Sequence, residues 1–173
     1  MKNKMQADTT GTDVIDLILE DHVRLKELIE TLKDSDMERI EKEAPYEEFA
    51  MLLINHAKAE EKSLYVKMKK YQSLKVESYE GDTEHTIADQ LVQKINATAN
   101  DDEWTAKVKV LAELVEHHIE EEEGEMFDEI KNEMDLKVRK EIGAEYIKLK
   151  SELDSLSMQM PNKQTDYHPS LMN

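Results

Sequence analysis

The sequence contains no cysteine, which excludes disulfide bonds, thiolate zinc sites and iron–sulfur clusters. Glycine and proline, which most often end helices, occur only 4 and 3 times, and aromatic residues make up 5% of the 173 residues. No stretch approaches the roughly 20 apolar residues that a membrane helix needs. These scarcities, with residues that favour helix supplying much of the rest, predict an all-α protein of one domain.

The charge of the chain is strongly acidic. There are 40 acidic residues against 23 basic ones, and the formal net charge is -17. Because such a surface repels phosphate backbones and anionic lipids, we expect neither nucleic acid nor a membrane as a partner. The sequence names no protein partner. Residues 1–12 are polar and lack the apolar run of a secretory signal, so we expect a cytoplasmic protein.

Helical periodicity predicts an antiparallel up-down four-helix bundle with an additional C-terminal helix. We expect this helical domain over residues 12–157, between a flexible N-terminus at 1–11 and a flexible tail at 158–173. The five predicted helices run from Thr12 or Asp13 to about Lys33, from Pro45 to about Tyr71, from Gly81 towards a turn at Asn100, from Glu103 to about Asn132, and from Leu136 to Leu156.

Four histidines occupy positions on the apolar faces of the predicted helices. His22, for example, lies between Ile18 and Leu25 at core spacing. On the second and fourth helices a glutamate follows the histidine by four residues, which places both side chains on one helix face. Buried carboxylates need a compensating charge, and two divalent cations would supply it. The inward-facing residues are His22, His56, Glu60, His85, His118 and Glu122.

The residue types of this set indicate which metals it suits. Four imidazoles and two bridging carboxylates form a mixed nitrogen and oxygen ligand set typical of iron or manganese, with zinc as an alternative. A ferritin-like carboxylate site is excluded, because it needs Glu-x-x-His pairs and the chain has none.

The register of the fourth helix stays open at this point. A rotation of about one residue would replace His118 and Glu122 by His117 and Glu121. His118 precedes an aromatic residue by the same interval as His56 does, and this repetition favours His118.

The motifs stand in a fixed order along the chain. They are Asp21-His22 on the first helix, His56-x-x-x-Glu60-Glu61 on the second, Glu84-His85 on the third and the run from His117 to Phe127 on the fourth. Their order and spacing resemble the hemerythrin-like HHE cation-binding domain over roughly residues 12–132. The resemblance implies a hemerythrin-like bundle that holds two iron ions, bridged by carboxylate and oxo groups. The ligands that it implies are His22, His56, Glu60, His85, His118 and Glu122.

The resemblance also implies a function. It is similar to that of non-haem di-iron proteins that bind or react with dioxygen, peroxide or nitric oxide, in sensing, in the oxidative-stress response or in iron handling. A catalase-like disproportionation of hydrogen peroxide is one alternative, and an acidic helical interaction module without metal is another. Oxygen-carrying hemerythrins place a second histidine one turn after the first on the third helix. Here Asp89 occupies that position, and this departure counts against reversible oxygen carriage.

Overall fold

The structure, a computed structural model, describes residues 11–159 and forms five helices and no strand within that range. The predicted all-α bundle with an additional C-terminal helix is confirmed. The termini predicted to be flexible lie almost entirely outside the described residues. The helices are α1 (Val14–Lys33), α2 (Arg39–Glu60, continued by a π-helical turn at Glu61–Tyr65 and by Val66–Met68), α3 (Lys75–Asn96), α4 (Asp101–Glu121, continued by a π-helical turn at Glu122–Met126 and by Phe127–Glu133) and α5 (Leu136–Gln159).

The first helix begins where the sequence predicts. The Asp13 side chain caps it by accepting the Ile15 N–H at 3.1 Å, which satisfies one of the donors that a helix start leaves free. The predicted inward face of α1, with its histidine, is buried along its length.

The second helix begins earlier than the sequence predicts. It starts at Arg39 rather than Pro45, because the Glu41 side chain accepts the Glu38 backbone N–H at 2.8 Å and so caps the extra turns. Pro45 lies inside the helix, where its missing N–H removes one backbone hydrogen bond. The predicted start was therefore wrong by nearly two turns.

The third helix also begins before its predicted start. It starts at Lys75 rather than Gly81, since Leu74 is fully buried and its carbonyl accepts the Ser78 N–H at 3.2 Å. Gly81 instead lies within α3, where it faces the ring of Tyr65 on α2. This glycine permits close packing of the two helices rather than a helix start.

The interior of the bundle is built as two apolar layers with a polar layer between them. On α1, Ile18 belongs to one apolar cluster and Leu25 to the other, and the buried His22 lies between them. Each large side chain that is removed from water contributes about 1.5–3 kcal/mol. Burial of the two apolar layers therefore offsets the cost of burying the polar layer.

The fifth helix packs across α1 and α2. It buries Ile142 and Tyr146 against the cluster that contains Ile18. Among the described residues, no helix has the length and hydropathy to span a membrane.

The close packing at Gly81 predicts a large cost for a single methyl group. In Gly81→Ala the new Cβ would lie 2.6 Å from the Tyr65 Oη and 2.7 Å from two ring carbons. We expect a loss of about 1–3 kcal/mol in the free energy of unfolding, measured by urea denaturation.

Gly124→Ala is the matched control, because no atom lies within 4 Å of its added Cβ. We expect this variant to be neutral or more stable by up to about 1 kcal/mol. Equal losses in the two variants would contradict the packing of α3 on Tyr65.

Candidate metal centre

The polar layer gathers every site residue that the sequence predicts. The four helices of the bundle each contribute one histidine, and α2 and α4 each add one glutamate one turn later. All are buried, with relative exposures between 0% and 4%: His22, His56, Glu60, His85, His118 and Glu122.

Glu60 links histidines from two helices. Its Oε2 lies 3.4 Å from His56 Nε2 on the same helix and 3.5 Å from His85 Nε2 on α3. A carboxylate in this position can offer one oxygen, or both, to two neighbouring cations.

Glu122 links the other two histidines in the same manner. Its Oε2 lies 3.2 Å from His22 Nε2 on α1, and its Oε1 lies 3.6 Å from His118 Nε2 on its own helix. The ligand atoms form two groups, each within 4.8 Å, which are His22, His56, Glu60 and Glu122, and Glu60, His85 and His118. Two cations that share the carboxylates would fit this arrangement.

Several buried atoms in the polar layer have no hydrogen-bond partner among the described residues. They are His22 Nε2, His56 Nε2, both carboxylate oxygens of Glu60, Glu122 Oε2 and, on the outer side of its ring, His85 Nδ1. In addition, the Nε2 atoms of His85 and His118 face each other at 3.1 Å. Buried polar atoms are normally paired, so orphaned nitrogens and oxygens that converge on one layer fit a pair of cations.

Burial and neighbouring charges set the protonation of the layer. Burial lowers the pKa of His56 to about 4, which leaves the imidazole neutral and able to donate a lone pair. Burial and the repulsion of Glu122 raise the pKa of Glu60 well above its ordinary value. Burial alone would also raise the pKa of Glu122, but His118 and His22 hold it below its ordinary value. Without a cation, Glu60 is therefore the member of the pair whose charged form is disfavoured.

Each histidine turns its Nδ1 towards a carboxylate outside the layer. Where the contact is a hydrogen bond, the carboxylate keeps the ring proton on Nδ1, so the lone pair of Nε2 faces the centre; the tautomer is assigned from these contacts. Three of the contacts are hydrogen bonds and the last is a longer ion-pair contact: His118 with Glu84 at 2.6 Å, His22 with Glu123 at 3.0 Å, His56 with Asp21 at 3.3 Å and His85 with Glu61 at 3.5 Å.

Two aromatic side chains stack on the histidines from the π-helical turns or directly after them. Tyr65 stacks on His85 with ring centroids 5.4 Å apart, and Phe127 stacks on His22 at 6.1 Å. The Tyr65 hydroxyl also donates to Glu122 Oε1 at 2.8 Å, and burial raises its pKa, so the phenol keeps its proton. One feature of the sequence indicated this pair: each aromatic residue follows the histidine of its own helix by the same interval.

The structure also answers the question of register on α4. The side chain of His117 is 63% exposed and pairs with Glu121 at the surface, whereas that of His118 is 6% exposed and lies in the polar layer. Asp89 lies outside the layer and accepts a hydrogen bond from Gln93 at 2.9 Å. Asp89, which stands where oxygen-carrying hemerythrins place a second histidine, therefore contributes no side chain to the centre.

An acidic cavity of about 360 Å³ between α3 and α4 reaches His118. Because glutamates line most of its wall, the cavity attracts cations, admits neutral molecules and repels anions. The glutamates are Glu77, Glu80, Glu84, Glu120, Glu121, Glu125 and Glu129.

The family model of the hemerythrin HHE cation-binding domain matches residues 13–130. The chain belongs to this family. No curated protein and no solved structure matches the chain. The matched range contains the whole polar layer and ends before α5. The chain therefore belongs to a cation-binding family and also contains clusters of side chains that could hold a metal ion.

The raised pKa of Glu60 leads us to expect that replacing this residue stabilises the metal-free protein. At pH 8 with a chelator present, we expect the free energy of unfolding of Glu60→Gln to be about 1–3 kcal/mol higher than that of wild type, because the variant lacks a buried carboxyl group that is costly to ionise. Since the folded pKa of Glu60 is raised, this advantage shrinks as the pH falls towards the ordinary value of 4.5.

The measurement is urea denaturation across this pH range, with Glu47→Gln as a control at an exposed position of the same helix. We expect no change in the control. A Glu60→Gln variant that is less stable than wild type would show that Glu60 is held by structural hydrogen bonds and would contradict this electrostatic account.

Proposed function

We propose that the polar layer holds two iron ions and that the protein binds or reacts with dioxygen, peroxide or nitric oxide. The orphaned nitrogens and oxygens of the layer support two cations, and the family resemblance supports iron over the manganese or zinc that the same donors suit. The proposed ligands are His22, His56, Glu60, His85, His118 and Glu122.

Iron would supply one- and two-electron redox chemistry at this layer. The chain's own residues set the conditions for it. Glu60 and Glu122 would keep the two cations at a defined separation, and the apolar layers above and below exclude bulk water. The Tyr65 hydroxyl oxygen lies 2.8 Å from Glu122 Oε1 and donates its hydrogen to it, next to the shared carboxylates.

The acidic cavity indicates which molecules can approach the centre. Dioxygen, hydrogen peroxide and nitric oxide are uncharged, so its glutamates do not repel them, whereas anionic substrates are repelled. The same glutamates would concentrate ferrous ions at the surface near His118. Roles in sensing, in the oxidative-stress response or in iron handling all agree with this charge distribution.

Aerobic purification without added metal tests the proposal. We expect plasma mass spectrometry to find about two irons per chain, with near-ultraviolet charge-transfer bands that change when peroxide is added. Rapid oxygen evolution from peroxide would establish the catalase-like alternative. A chain that stays metal-free after anaerobic reconstitution with ferrous ion would overturn the proposal and favour the acidic interaction module.

The neighbouring histidines of α4 provide a matched pair of variants. We expect His118→Ala to lose about half or more of its bound iron, because a buried donor is removed from the layer. His117→Ala removes an exposed side chain and should keep the iron content of wild type. Iron content per chain is the measurement, and equal losses would contradict the assignment of His118.

A further inference from the structure

The fifth helix lies beyond the matched HHE domain, yet it reaches the proposed metal centre. From α5, the Tyr146 hydroxyl lies 3.0 Å from His56 Nδ1 and donates to Asp21 Oδ2 at 2.6 Å. Lys150, one turn later on the same helix, is hydrogen-bonded to the other oxygen of Asp21. A helix outside the family's domain thus supplies two of the groups around His56.

The hydrogen bonds of this network have a defined direction. Tyr146 is buried and keeps its proton, which it donates to the Asp21 carboxylate. Its oxygen is then free to accept a hydrogen bond from the His56 Nδ1–H, 3.0 Å away. With the ring proton on Nδ1, the lone pair of His56 Nε2 points towards Glu60, 3.4 Å away. This is the tautomer that binds a metal through Nε2.

The same network attaches α5 to the bundle. The contacts of Tyr146 and Lys150 with Asp21 join α5 to α1, and the Asn55 amide donates to the Asp154 carboxylate at 2.7 Å, which joins α5 to α2. The ring of Tyr146 itself packs in the apolar cluster next to the polar layer. The tautomer of His56 and the docking of α5 therefore depend on the same contacts of Tyr146.

We propose that Tyr146 is a positioning residue for the metal centre and that the docking of α5 is linked to metal binding at His56. The inference rests on the proposed function, since it requires a cation at the layer. Because linkage is reciprocal, a docked α5 raises the affinity for the cation, and the bound cation holds α5 more firmly on the bundle. The docking of the fifth helix would then change with the metal occupancy of the centre.

The first experiment measures the affinity of the full chain for Co²⁺, a spectroscopic probe of the centre. We expect Tyr146→Phe to bind at least one of the two ions about tenfold more weakly, as is typical when a partner of a ligating histidine is removed. Tyr79→Phe is the control, because Tyr79 is 52% exposed and lies outside the polar layer and its support.

The second experiment separates positioning from a merely structural role. We expect hydrogen exchange of the α5 amides to slow when Co²⁺ binds to wild type, and this metal-dependent difference to be lost in Tyr146→Phe. Lys150→Gln keeps the contact between Tyr146 and His56, so it should show a smaller loss of cobalt affinity. That second variant tests the linkage even if Tyr146→Phe fails to fold.

The outcomes distinguish this inference from the proposed function. If wild type binds two cobalt ions but Tyr146→Phe binds them equally well, or if α5 exchanges at the same rate with and without cobalt, the linkage is overturned and the metal centre stands. If wild type binds no cobalt or iron, both the centre and the linkage fail.

Discussion

Two carboxylates, Glu60 and Glu122, are buried among four imidazoles, and the rest of the structure is arranged around that constraint. Their charge cannot be left in an apolar interior without compensation, because each uncompensated ion costs several kcal/mol. The chain spreads the polar groups over four helices and holds them between two apolar layers. No single helix carries more than two of the donors. Folding of the whole bundle is therefore needed to assemble the site.

Beyond this layer, carboxylates surround the histidines and reinforce its preference for cations. The groups that face the Nδ1 atoms come from α1, α2, α3 and α4, so the negative field converges on the centre from all sides. A purely structural polar layer would pair its own donors and acceptors. Here outer carboxylates accept the Nδ1 protons of His22, His56 and His118. The Nε2 lone pairs of His22 and His56 point inwards without partners among the described residues. This division between an outer and an inner face of each ring distinguishes a cation site from a buried salt bridge.

The sequence predicted the helical fold and the inward-facing residues, because both follow from local periodicity: His22 replaces an apolar residue in an otherwise regular face. It predicted neither the start of α3 nor the role of Gly81, since a glycine that permits close packing looks like one that begins a helix. The bonds from Tyr65 to Glu122 and from Tyr146 to Asp21 join residues distant in the chain. Such contacts depend on how helices pack, and no periodic pattern encodes them.

Anomalous diffraction from crystals of the iron-loaded protein, recorded on either side of the iron absorption edge, would show directly whether the polar layer holds two iron ions. We expect two iron peaks in the polar layer, one beside His22 and His56 and one beside His85 and His118, with both carboxylates between them. A single peak, or iron found only at the surface, would contradict the shared role of Glu60 and Glu122. A layer without any iron would contradict the metal centre itself.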